Sequence, residues 1–198
     1  MIDSLEALRA LYPEPGARAL RKQLGALDRH CARFIELSPF VVLATGRDAL
    51  DASPRGGAPG FVRRLDAHTL LIPDAPGNHR LDSLSNIVAH GRIGLLFMIP
   101  GVDETLRVNG RARLTQDRQR LRHFAHDARP ARLVIEVHVE EAYLHCAKAF
   151  MRSKLWSDDA RTERSVLPTL GRMINEQSGI DAPAESEAQM RARYAADL

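Results

Sequence analysis

ETLRVNGRARL, residues 104–114, alternates without a break. Leu106, Val108, Ala112 and Leu114 fall on one side, and Arg107, Asn109, Arg111 and Arg113 on the other. Side chains that alternate with a period of two describe a β-strand with one face buried and one face polar. The stretch is followed, after a helical-looking segment at 115–127, by ARLVIEVHVEEAYLHC at 131–146. There Leu133, Ile135, Val137 and Val139 repeat the alternation, and Glu140-Glu141 interrupts it, which predicts a bulge or bend. Upstream, RIGLLFMI (92–99) is apolar on both faces, as a central or interface strand would be.

Earlier still come FVVLAT (40–45) and, as its expected hairpin partner, DALDAS (48–53). PRGGAPG (54–60) reads as a loop, and FVRRLD and TLLIP as two short strands joined at Asp66-Ala67-His68. Leu81, Leu84, Ile87 and Val88 predict one face of a helix of about three turns that Gly91 ends. Short strands at regular intervals, with one or two helices inserted, point to a small antiparallel barrel, which also removes exposed strand edges. The expected fold is therefore mainly β with flanking helices.

At the N-terminus, SLEALRAL is a short helix. Leu20, Leu24, Leu27, Cys31 and Phe34 then predict one longer helix, opened by Pro15-Gly16 and closed by Ser38-Pro39. Residues 157–198 are polar, with helical patterns in VLPTLGRMI and ESEAQMRARYAADL. The expectation is a single domain over 1–198, divided into N-terminal helices (1–38), a barrel (39–156) and a C-terminal helical extension (157–198). A chain of 198 residues, 44% of them hydrophobic, is long enough for a real core.

Composition narrows the function classes. Net charge is only +3, with acids interspersed among the arginines, and aromatics are 5%, too few for a base-stacking platform. No nucleic-acid partner is expected. The apolar run near Ile93–Ile99 is too short to span a bilayer, and the N-terminus does not look like a secretory signal, so the expectation is a cytoplasmic protein without membrane contact. Cys31 and Cys146 are the only cysteines, which excludes a disulfide framework or a sulfur-rich zinc site. His123 and His126 lack a third ligand nearby in sequence, so no metal is expected.

PGNHRLDSLSNI (76–87) is the segment with chemical promise. A helix start exposes unpaired N–H groups and a partial positive charge, where an anion is stabilised. Gly77 lets the backbone come close, Asn78 either caps the helix or donates to a phosphate oxygen, and Arg80 offers a two-pronged fork. Ser83, one turn on, adds a hydroxyl. Two readings stand side by side: a phosphate cradle, or a surface helix whose Arg80 pairs with Asp82.

DASPRGGAPGFVRRLD, TLLIPDAPGNHRLDSLSNI, RIGLLFMIPG, ETLRVNGRARL and HCAKAFMRSKLW occur in that order. Together they resemble the flavin-binding relatives of pyridoxamine 5'-phosphate oxidase over about residues 40–157. The resemblance implies a split β-barrel that forms a two-fold homodimer and binds FMN between subunits. By that resemblance Arg80 grips the FMN phosphate with Asn78 and Ser83 beside it, and the Ser53-Pro54-Arg55 backbone lies along the isoalloxazine. Leu81 stands where relatives often carry a lysine. Thr105 stands where a glutamine commonly meets the flavin across the interface, and Arg107 faces either the cleft or a salt bridge. Lys148 and Ser153, with Arg152, Lys154 and Trp156, belong to a segment expected to close over the ring; His145 is a further lining candidate. The implied function is FMN-dependent hydride or electron transfer with a small-molecule substrate. The alternatives are a non-catalytic flavin carrier or sensor, or a haem protein using the same cleft. RARYAADL lacks the arginine–histidine motif that pyridoxamine-phosphate oxidation draws on, so that particular reaction is not expected.

Overall fold

The computed structural model describes residues 1–46, 50–74 and 77–195. The chain falls into two compact units, Met1–Arg152 and Ser153–Leu198.

The first unit opens with helices α1 (Leu5–Arg9), α2 (Ala17–Arg21) and α3 (Arg29–Leu37). The single helix expected from Gly16 to Leu37 is thus broken. Leu24 exchanges two backbone hydrogen bonds with Ala142, at 2.9 and 2.8 Å, and so serves as a strand residue. Asp28 restarts the helix by accepting the Cys31 N–H at 2.8 Å, which satisfies an otherwise orphaned donor. The leucine spacing fits a helix and an interrupted helix equally well; Gly25 and the Asp28 cap decide between them.

Strands β1 (Phe40–Gly46), β2 (Leu50–Gly56), β3 (Arg63–Arg64) and β4 (Thr69–Pro73) follow, then helix α4 (Asp82–His90) and strands β5 (Arg92–Met98) and β6 (Thr105–Thr115). Helix α5 (Arg118–Leu121) continues as a tight turn over Arg122–Phe124 into β7 (Val134–His145), and α6 (Lys148–Ser153) closes the series. Pro54–Gly56 extend β2 rather than starting a loop. Residues 48 and 49 of the expected hairpin partner lie outside the described residues.

All ladders are antiparallel, in the order β2-β1-β5-β6-β7-β4-β3. Val41 and Leu43 of β1 share one buried cluster with Leu70 and Ile72 of β4, although three strands separate them in the sheet. In a flat sheet those strands would stand about 19 Å apart. One common interior therefore means that the sheet curls on itself. Among the described residues its edge strands β2 and β3 share no ladder, so the curl stays open along that seam: a split β-barrel. Cys31, Phe34 and Ile35 of α3 and Leu84 and Ile87 of α4 complete the interior. Leu81 and Val88, expected on the same helix face, are exposed.

The predicted bulge is present. Asn109 pairs with Glu141 and Gly110 with Val139, so Glu140 has no partner on β6. A Cβ on Gly110 would stand 2.0 Å from the His138 carbonyl oxygen, so only glycine fits against the bulge.

The second unit holds α7 (Leu170–Ser178) and α8 (Glu187–Ala195). Thr169 caps α7 at its start, and Gly179 ends it in the left-handed region. No residue of either helix is buried. Among the described residues no helix is long and apolar enough to cross a membrane.

Candidate functional site

The register of β1 against β2 sets up a polar corner. Asp51, Ser53 and Arg55 pair with Thr45, Leu43 and Val41, so they share the inner face with buried side chains and turn toward α4. The Asp51 carboxylate accepts hydroxyls from Ser83 at 2.5 Å, Ser53 at 2.9 Å and Thr45 at 3.4 Å. Asn86 donates to the Thr45 hydroxyl oxygen at 3.2 Å. Thr45 (5% exposed) and Ser83 (2%) are buried, so each needs these bonds. Burial pushes the Asp51 carboxyl up, but the Ser83, Ser53 and Thr45 hydroxyls and Arg55 together hold it below the usual carboxylate range.

Arg55 donates to the Ser83 hydroxyl oxygen at 3.3 Å and to the Pro54 carbonyl at 2.9 Å. Among the described residues no carboxylate lies within ion-pair distance of it. Asp74, whose carboxyl burial pushes up against the opposing pull of Arg55 and Arg132, is a second acid in its field.

The turn into α4 is unusual. His79 and Leu81 both hold φ of +60°, a left-handed conformation that costs non-glycine residues energy. Asn78 accepts the Arg80 N–H at 3.1 Å and so caps the turn, not the helix. Leu81 is the residue before the first turn, and no side chain caps the helix there. The N–H groups of that turn thus meet no capping side chain. Of the two readings of Arg80, the structure shows the ion pair: its Nε lies 2.8 Å from Asp82, with the side chain 72% exposed. Ser83 has spent its only proton on Asp51.

The remaining candidates lie elsewhere. Pro54, one residue from Ser53 and Arg55, faces the outer side of the sheet with Val42 and Leu96. Thr105 is buried opposite His145. Arg107 has the salt bridge: it lies 3.5 Å from Glu141 and donates to the Tyr143 hydroxyl. Lys148 begins α6, Ser153 ends it, and Trp156 follows, half-buried. The corner therefore unites Ser53, Arg55 and Ser83, with Arg80 at its rim; the Asp51 field reaches Arg80.

Sequence reading missed Asp51, Thr45 and Asn86. The signal was there in part: Asp51, Ser53 and Arg55 recur at every second residue, as one face of a strand must.

This geometry sits inside a segment with a known pedigree. The family model described as pyridoxamine 5'-phosphate oxidase matches residues 27–146. The chain belongs to that family. Four of the five ordered motifs that carried the resemblance fall wholly within the family segment, as do Asp51, Arg55, Arg80 and Ser83; the fifth, HCAKAFMRSKLW with Lys148, Ser153 and Trp156, runs beyond it after Cys146. No curated protein matches the sequence. Among solved structures, HupZ of Group A Streptococcus is 16% identical with a TM-score of 0.48, covering 59% of this chain and 91% of that one. An FMN-binding protein of Syntrophomonas wolfei is 10% identical, TM-score 0.44, covering 60% and 88%. The FAD-binding protein of Mycobacterium smegmatis is 14% identical, TM-score 0.45, covering 62% and 97%.

Proposed function

We propose that this member of the pyridoxamine 5'-phosphate oxidase family is an FMN-dependent oxidoreductase acting on a small organic molecule as a homodimer. The observation that carries the reading is the β2–α4 corner. Among the described residues no carboxylate comes within ion-pair distance of Arg55, and it stands beside a helix start without a side-chain cap. A phosphate ester there meets backbone N–H groups, a favourable dipole and a guanidinium fork. The left-handed residues His79 and Leu81 are the kind of strain that marks ligand clamps.

Arg80 joins by leaving Asp82. Exposed ion pairs are weak, so a dianionic phosphate competes well for it. Ser83 holds its oxygen toward Arg55, and Asp51 fixes Ser83 against β2. These residues bind and orient; when bound, FMN supplies the hydride or electron chemistry. The dimer is supported by the outer face of β1 and β5, where Phe40, Val42, Leu96 and Met98 are only half-buried.

Titration of the full chain with FMN and with riboflavin tests this. Arg55→Ala and Arg80→Ala should each weaken FMN about ten- to a hundredfold while scarcely changing riboflavin. A colourless protein that takes up no FMN overturns the reading. So does equal loss for both ligands in both variants. Sedimentation of the FMN-loaded protein should give a dimer; a stable loaded monomer overturns that part.

A further inference from the structure

The bulge at Glu140 turns both Glu140 and Glu141 to the outer face of the sheet. Glu140 meets Arg92 and Arg111, each at 3.2 Å. Glu141 accepts from Gln23 at 2.6 Å and from Asn109 at 3.0 Å, with Arg107 more distant at 3.5 Å. Two amides thus occupy one site on each oxygen, and this single negative charge faces two cations, Arg107 and Lys22.

Lys22 donates to the neutral Leu144 carbonyl at 2.9 Å and lies 4.9 Å from the centre of the Tyr143 ring. The Arg107 guanidinium lies 4.6 Å from the same centre, and its Nε is buried without a hydrogen-bond partner. An unmet buried donor is costly unless something supplies an acceptor. Tyr143 accepts from Arg107, and its own proton has no acceptor among the described residues. The His145 ring lies 4.9 Å from that of Tyr143. Two cations and a phenol with a spare proton therefore gather around one ring, where Glu141 is the carboxylate that bonds within the cluster.

We propose that Lys22, Arg107 and Tyr143 form an oxyanion-binding subsite on the outer face of β6 and β7, taking the carboxylate or phosphate group of a small molecule. It is separate from the β2–α4 corner, whose polar side chains project from the inner face of the sheet. Its recognition is by charge-assisted hydrogen bonds from an ammonium, a guanidinium and a hydroxyl.

His145 is a built-in reporter. Burial, with Arg107 and Lys22 adding to it, holds its imidazole below the ordinary value of 6.5. Tyr143 and Thr105 are its polar neighbours, and Glu141 lies on the same face of β7. An oxyanion seated beside Lys22 and Arg107 cancels their push and raises the His145 midpoint.

The experiment follows the His145 ring signals by NMR across pH in the full chain, with inorganic phosphate, with acetate, and with neither. It is run on FMN-free protein and again with FMN present, so that a failure to bind FMN leaves this readout intact. The expected result is an upward move of the midpoint with at least one anion. Phosphate alone acting assigns a phosphate ligand, and acetate acting assigns a carboxylate. Lys22→Met, at an exposed position, and Tyr143→Phe should each weaken the anion about fivefold or more. A midpoint that neither anion moves overturns the proposal, as does a response that survives both substitutions unchanged.

Discussion

At the β2–α4 corner, Asp51 collects three hydroxyl donors and Arg55 makes no ion pair among the described residues. On the outer strip of β6 and β7, Glu141 collects two amides and the more distant Arg107, and Lys22 makes no ion pair among the described residues. Both regions set one carboxylate among basic side chains. In both, neutral donors share the acid, and one cation bonds to neutral oxygen instead: Arg55 to Ser83 and Pro54, Lys22 to Leu144. They differ in burial. The corner faces the interior, where each hydroxyl must be satisfied; the strip faces outward, where water can replace a lost partner. The same inventory is therefore structural inside and replaceable outside.

The sharpest way to break the contrast is at Gly110, where the strip depends on the fold itself. Gly110→Ala puts a methyl group against the His138 carbonyl with no side chain able to yield. It should destabilise the protein by about 3 kcal/mol or more in urea unfolding, because the bulge must reorganise. A loss under about 1 kcal/mol would mean that the bulge relaxes easily and that the outward turn of Glu140 and Glu141 is incidental.

The next effect compares the two acids directly. Asp51→Ala strands the buried Ser83 and Thr45 hydroxyls and should cost about 2–3 kcal/mol. Glu141→Gln keeps an acceptor on a more open face and should cost about 0.5–1 kcal/mol. Equal costs would erase the inside–outside distinction.

Acid sharpens it further. The Asp51 carboxyl lies below its ordinary value when folded, so its contribution is fully present above the unfolded value of 3.8 and is lost as pH falls through the folded one. Asp28 and Glu136 are lowered too and behave likewise. Wild type should therefore lose stability below about pH 4 more steeply than Asp51→Asn, which lacks one such group. Parallel acid profiles by circular dichroism would remove Asp51 from that role.

The unequal burial of the two regions also explains what could be read in advance. Strand alternation in 104–114 and 131–146 reports a sheet with one wet face, and Glu140-Glu141 breaks it where the chain carries an extra residue. Gly91 ends α4 in the left-handed region, as its position after Val88 suggested. These are local signals. The corner is not local: Asp51 and Ser83 stand 32 residues apart and meet only because β2 lies beside β1 and α4 packs on both. An acid in DALDAS looks like a solvated hairpin residue until the partner helix is in place. Leu24 failed for a similar reason, since its bond to Ala142 spans the chain and periodicity carries no trace of it. For Arg80 the sequence held both answers, and the short reach to Asp82 made the ion pair visible as one of them.

That pair is the place for the finest test, because it lies at the rim between the two regimes. Arg80 and Asp82 are both largely exposed, so water screens them and the pair holds Arg80 weakly. If the corner takes a phosphate, Asp82 is its competitor for Arg80, and removing the competitor's charge should help. Asp82→Asn should tighten FMN about two- to threefold at low salt, leave riboflavin unchanged, and lose the advantage as salt screens the pair. Weaker FMN binding in that variant would give Asp82 the opposite role, as a brace for a turn already strained at His79 and Leu81. Arg80 would then be fixed by its neighbour, and the phosphate would rest on Arg55 and the start of α4 alone.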